Sequence, residues 1–331
     1  MLNHELVPVL CAHQASNDLL REQYGVDLSE AELLKDNFNL VYASGPFIIR
    51  ISPASKKGLA EIRAELKWLS FLMARDISVN RVIPTASGEN YLRLEVEGDK
   101  LYCVVFGREK ENKVQESDWT KVHFQKLGAL TGRLHQASID FQEEVDKDFI
   151  HWHEQSKAAS FNYLPNDDRK LSALHHLLHE KIMAQPRTAN TYGVIHYDIH
   201  HGNYFLLRDQ PGTPLLLFDF EMTCRGWFLQ DIAVILYYAS NRNTTHNKTP
   251  RHQFEQDFLS AFQTGYAKYL PELVFDWEVI QTHLLYRDLF VYGFVLEAWR
   301  GRELSEGDLR FLALLEANIA ERRLSWEESL S

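Results

Sequence analysis

Cysteine is scarce in this chain of 331 residues, with only Cys11, Cys103 and Cys224. They are odd in number, far apart and form no C-x-x-C pair. This argues against a disulfide scaffold or a structural zinc site and leads us to expect a reducing, cytoplasmic setting. Long apolar runs are also missing. Stretches such as Pro214–Phe218 fall far short of the roughly 20 residues that cross a bilayer, so no membrane partner is expected. The opening Met1-Leu2-Asn3-His4-Glu5 has neither the basic stretch nor the apolar core of a secretory leader. Positive charge is in deficit: 35 Lys and Arg stand against 46 Asp and Glu, a formal charge of −11. That is a poor footprint for nucleic acid and leans towards an amine-bearing partner. There is no repeat, no low-complexity tract, no H-E-x-x-H and no G-x-G-x-x-G loop.

Length and pattern divide what is present into two lobes. Helices are expected around Leu6–Tyr24, with Pro8 limiting the first. Leu40–Ala43 and Phe47–Ile51 flank the turn signal Ser44-Gly45-Pro46 and read as a hairpin. Leu59, Ile62, Leu66, Leu69 and Met73 carry helical spacing. Arg81–Pro84, Asn90–Val96 and Leu101–Phe106 read as further strands. Beyond Ser117, a candidate N-cap, the chain reads as mainly helical except for short strands in 192–219. Lys170–Met183, Phe228–Ala239, Gln253–Tyr269, Trp277–Trp299 and Ser305–Trp326 are the later helices. The fold class is therefore α+β. Its N-terminal lobe, 1–107, is an antiparallel sheet with one helix, and its larger helical lobe is 108–331, the polar segment Gly107–Lys113 lying between them.

One segment carries chemistry. In V-I-H-Y-D-I-H-H-G-N, His196, Asp198 and Asn203 form H-x-D-x-x-x-x-N, and a following strand ends at Asp219 in L-L-L-F-D-F-E. A base-like carboxylate, an amide and a further carboxylate at strand ends are the equipment of phosphoryl transfer from a metal-bound nucleoside triphosphate. Alone, each has an ordinary reading: Asp198 as a turn residue, Asn203 as a turn former after Gly202, Asp219 as a strand-end cap. Their joint spacing is what singles them out. His175, His176 and His179 invite a zinc reading, but without further ligands they read as a solvated helix face.

His196–Asn203 followed by Asp219-Phe220-Glu221 and then Asp231 resembles the aminoglycoside phosphotransferase and choline kinase family. The resemblance covers most of residues 35–300 and implies a protein-kinase-like two-lobe fold and an ATP-dependent phosphotransferase. It implies Asp198 as the base, with His196 and Asp231 holding its loop, and Asn203 and Asp219 as ligands of Mg2+. Arg50 would grip the phosphates, Glu65 would orient Arg50, and Asn39 matches a family Asn. Adenine would lie against Leu101–Phe106, with Val104 and Phe106 as contacts. The acceptor would be a small molecule offering a hydroxyl: an amino alcohol, homoserine, a sugar or an aminoglycoside. Its wall would come from Glu221, Arg225, Trp227, Arg287, Asp288, Tyr292, Glu297 and Trp299. There are departures too. Tyr197 replaces the family's Gly and narrows the acceptor site, and no glycine-rich loop cradles the triphosphate. The absence of A-P-E counts against the rival reading, a protein Ser/Thr kinase. The intact Asp198, Asn203 and Asp219 count against a non-catalytic nucleotide-binding module. Oligomeric state is not legible.

Overall fold

The structure, a computed structural model, describes residues 3–329 except 37, 111, 142–148, 166–168, 213 and 247–249. Met1, Leu2 and Glu111, on which parts of the leader and linker expectations fall, lie outside the described residues. The chain forms two compact units, Met1–Asn112 with Phe205–Phe218, and Lys113–Tyr204 with Asp219–Ser331. Residues 108–112 and the segment 205–218 go with the first unit, beyond the boundary expected at 107/108.

In the first unit, helices α1 (Asn3–Ala12) and α2 (Gln14–Tyr24) precede β1 (Glu32–Lys35), β2 (Leu40–Ser44) and β3 (Phe47–Pro53). Then come α3 (Leu59–Met73), β4 (Val82–Ile83), β5 (Leu92–Val96) and β6 (Asp99–Gly107). Pro8 lies inside α1 rather than ending it. The sheet runs β1-β2-β3-β6-β4, with β5 also on β6, and its pairings are antiparallel. Gly45 takes φ 51° in the β2–β3 turn, a backbone that glycine adopts without steric cost. Alternation along β3 sets the two faces of the sheet. Ile49 and Ile51 pack with Leu6, Leu10 and Leu20 of the leading helices. Arg50, on the opposite face, meets α3.

The second unit holds α4 (Lys121–Asp140), α5 (Arg169–Met183), β7 (Tyr192–Ile195), β10 (Cys224–Trp227), α6 (Phe228–His246), α7 (Arg251–Tyr266), α8 (Trp277–Ala298) and α9 (Glu306–Ser329). β8 (Tyr204–Leu206) and β9 (Leu215–Leu217), the second pair of short strands, fall largely in the segment that joins the first unit. Thr120, not Ser117, caps α4, its side chain accepting from the His123 N–H. α4 and α7 approach so closely that a Cβ on Gly265 would stand 1.8 Å from the Gln125 carbonyl oxygen. β7 and β10 pair antiparallel with Gly193 opposite Gly226, and the hydroxyl of Ser138 accepts from Val194 N–H at 2.6 Å. This ladder ends at Ile195, so the next residues leave it at a fixed point. His175 and His179 are not a solvated face: their rings pack on Phe161, Trp152 and Tyr286, and only His176 is exposed. Burial, helped by the neighbouring His176 and His179, pushes His175 down to about 4.

Candidate active site

Two positions beside the motif hold left-handed backbone that non-glycine residues rarely adopt: Tyr197 at φ 65° and Asp219 at φ 66°. Such strain persists only where surrounding bonds impose it. For Tyr197 the imposing group is Asp231, fully buried in the first turn of α6. Its Oδ2 accepts the His196 N–H at 3.0 Å and its Oδ1 accepts the Tyr197 N–H at 2.7 Å. His135 of α4 lies 3.2 Å from the same Oδ2 and is tied on its other nitrogen to the Tyr266 hydroxyl at 2.7 Å. Asp231 therefore acts on the loop and not as a cap of its own helix. The ring of Tyr197 is buried, so the expected narrowing of the acceptor site is corrected: the ring packs inward and leaves the backbone to bend. His196 is buried against Phe220, and its Nδ1 accepts the Asp198 N–H at 3.3 Å.

Asp198 leaves this anchored bend part-exposed, its side chain at 23%. Its Oδ1 lies 2.6 Å from Arg287 of α8. Its Oδ2 lies 3.2 Å from the amide nitrogen of Asn203, which also donates to the Asp198 carbonyl at 2.9 Å. Both partners are pure acceptors, so the nitrogen of Asn203 must face them and its carbonyl oxygen points away. That oxygen and the half-buried Asp219 carboxylate are hard donors suited to magnesium, which takes few protein ligands and fills the rest with water and phosphate. Among the described residues no group of three or more His, Cys, Asp or Glu side chains could hold a metal ion. His200 sits at the edge of the same loop, its Nε2 3.7 Å from Asp198 Oδ2 and its Nδ1 accepting the Gly202 N–H at 3.0 Å.

The first unit carries a second polar group. Arg50 forms a bidentate pair with Glu65 at 2.7 and 3.0 Å, and its guanidinium stands 5.4 Å from the ring centroid of Phe106. Lys57 joins at 2.7 Å from Glu65. All three are almost fully buried. Burial would raise the Glu65 carboxyl, but Arg50 and then Lys57 outweigh it and bring it down to about 2. Two cations meet on this one carboxylate. Nothing in the pattern marked Lys57, which follows a strand in Ser55-Lys56-Lys57, where lysine is ordinarily solvated. Val104 is Arg50's register partner on β6, and Asn39 is buried just before β2.

The expected acceptor wall is largely corrected. Trp227 is core: its ring packs on Tyr192 and Trp152 while its indole nitrogen donates to the Pro186 carbonyl. Tyr292 is buried and its hydroxyl bonds Glu316 of α9 at 2.5 Å. Trp299 caps α8 and packs on Phe311. Asp288 pairs with Arg322 at 2.7 Å, and Glu297 accepts from Ser160 at 2.7 Å. Arg225 lies over the Tyr192 ring, and Glu221 is half-buried two residues after Asp219. Of the expected wall, Arg287 alone is placed on the catalytic loop by the contacts above. Tyr238, unmarked in the sequence, joins it there: its ring lies 4.6 Å from His200 and its hydroxyl accepts from Arg287 at 2.9 Å. His135 was also missed, although it lies next to Leu134 on the apolar stripe of α4.

Residues 30–283 match the Phosphotransferase enzyme family. The amicoumacin kinase of Bacillus subtilis (strain 168) is 25% identical over 301 residues, covering 88% of this chain and 87% of its own. A solved amicoumacin kinase, in complex with AMP-PNP and Ca2+, superimposes with a TM-score of 0.85 at 26% identity over 96% of each chain. A microcompartment-associated aminopropanol kinase shares the fold at a TM-score of 0.66 and 19% identity, over 94% of this chain and 97% of its own. With the loop geometry and a match over most of its length, the chain belongs to the phosphotransferase enzyme family, as a small-molecule kinase of protein-kinase-like fold.

Proposed function

We propose that the protein transfers the γ-phosphoryl group of ATP to a hydroxyl of a small, amine-bearing molecule. The observation that carries the reading is the bond between Asn203 and Asp198, which presents a carboxylate on one side and an amide oxygen on the other within a single anchored loop. Asp198 orients the acceptor hydroxyl and accepts its proton as the acceptor oxygen bonds to phosphorus and the bond from phosphorus to ADP breaks. Asn203 and Asp219 would hold magnesium, which when bound would neutralise charge on the phosphates. Arg50, fixed by Glu65 and joined by Lys57, meets the phosphates through its planar fork. Val104 and Phe106 are the strand positions offered to adenine, and Asn39 lies near the start of the same sheet. His196 and Asp231 keep the loop in shape.

Three facts support an amine-bearing acceptor. The chain's charge is −11. The two arginines an acidic acceptor would need are engaged elsewhere, Arg287 with Asp198 and Arg225 over Tyr192. Relatives are named for amicoumacin and aminopropanol.

A thermal-shift screen tests the reading. A ligand present at a hundredfold excess over its Kd stabilises the native state by about 2.7 kcal/mol. Magnesium with ATP is expected to raise Tm, and one class in a panel of amino alcohols, homoserine, sugars and aminoglycosides to raise it further. A flat response to magnesium and ATP, or a further rise only with carboxylate-bearing hydroxyls that lack an amine, would count against the respective half of the proposal.

A further inference from the structure

We propose that Arg287 is a positioning residue for the base, fixing Asp198 through one carboxylate oxygen so that the other alone meets the acceptor hydroxyl. The inference rests on the reading of Asp198 as base. Arg287 comes from the middle of α8, 89 residues beyond its partner, and is 4% exposed against 23% for Asp198. One guanidinium nitrogen donates both to Asp198 Oδ1 at 2.6 Å and to the Tyr238 hydroxyl at 2.9 Å. The rings of Tyr197, Tyr238 and Phe290 enclose the guanidinium, their centroids 5.6, 5.3 and 4.9 Å from its carbon.

A guanidinium encased by three rings has few rotamers left, and a buried charge of this kind is tolerable only when paired. Here the pairing group is the proposed base, Asp198. An aspartate carboxylate otherwise turns broadly about its last torsion. The bond to Arg287 removes that freedom and commits Oδ1. The acceptor is left Oδ2, the oxygen flanked by Asn203 at 3.2 Å and His200 at 3.7 Å. Reactions of bound groups lose roughly a hundredfold for a misplacement of about 1 Å, so the restraint matters for turnover rather than for nucleotide binding.

The test is a set of variants, Arg287→Ala and Arg287→Lys, each made in the wild-type and Asp198→Ala backgrounds, with kcat, both KM values and Tm measured. Arg287→Ala is expected to lower kcat by roughly a hundredfold while leaving the KM for ATP within about twofold, and Arg287→Lys to retain part of the rate. Added methylguanidinium should restore part of the rate to Arg287→Ala and none to Asp198→Ala. In the Asp198→Ala background the Arg287 substitutions should cost nothing further. If Arg287→Ala lowers kcat by the same factor whether or not Asp198 is present, or lowers Tm with kcat unchanged, Arg287 is a core residue only and the proposal is overturned. Should Arg287→Ala fail to fold, Arg287→Lys carries the same comparison, with Tm as its control. Full activity in Asp198→Ala alone would instead overturn the reading of the base, and this inference with it.

Discussion

Asp219 sits at φ 66°, ψ 58°, a backbone that asparagine tolerates as well as aspartate does. Fold and function can therefore be separated at this residue. Asp219→Asn keeps the left-handed turn but removes a negative charge from the proposed magnesium site. Its Tm is expected to stay close to wild type while the magnesium concentration for half-maximal activity rises by tenfold or more, as a titration of rate against magnesium would show. A large fall in Tm with unchanged magnesium dependence would mean the carboxylate serves the turn alone. At this scale the catalytic loop was legible because its chemistry demands three side chain types within a few residues of one another. The wall of the acceptor site was not. Asp288, Tyr292 and Trp299 lie on one helix with Arg287, yet turn to Arg322, Glu316 and Phe311 of α9. Helical spacing says which residues share a face, but not which neighbour that face meets.

Two elements make predictions of their own. In a helix interior alanine is favoured over glycine by about 1 kcal/mol, so Gly265→Ala in α7 would stabilise an isolated helix. Here the added Cβ would stand 1.8 Å from the Gln125 carbonyl of α4, and the clash is with backbone that cannot swing aside. The clash outweighs propensity, and Gly265→Ala is expected to lower Tm. A raised Tm would show that α4 and α7 separate readily. The second concerns the β3–α3 pair. The Glu65 carboxyl lies at about 2 in the folded chain, against an ordinary 4.5. A carboxyl held low in the fold stabilises it above the unfolded value, and that contribution drains away as pH falls from about 4.5 towards 2. Glu65→Gln should therefore show a shallower loss of stability across that window. Near neutrality it should be less stable than wild type by about 3–5 kcal/mol, since the buried Arg50 and Lys57 lose the carboxylate charge between them. Denaturant midpoints measured from pH 7 down to 2 decide this, and parallel curves for the two proteins would contradict it. The pair of Arg50 and Glu65 was expected from the family resemblance, and strand alternation added only that Arg50 faces away from Ile49 and Ile51. Lys57 was not, because burial of a turn lysine depends on α3 folding over it.

For the whole molecule, an antiparallel sheet and a larger helical unit followed from the change of periodicity along the chain. The return of 205–218 to the first unit did not, since it depends on contacts such as the pairing of Val79 with Leu217, far apart in sequence. No helix among the described residues is long and apolar enough to cross a membrane. The family match, the anchored loop and the buried cluster of Arg50, Lys57 and Glu65 fit one chemistry. Its central claim is that Asp198 activates a small-molecule hydroxyl. ADP release measured with magnesium and ATP, with and without the acceptor found by thermal shift, in wild type and in Asp198→Ala, tests it most directly. The account predicts acceptor-dependent ADP release in the wild type. In Asp198→Ala that release falls by roughly 10²–10⁴ while nucleotide affinity changes little. Equal acceptor-dependent rates in the two proteins would contradict it.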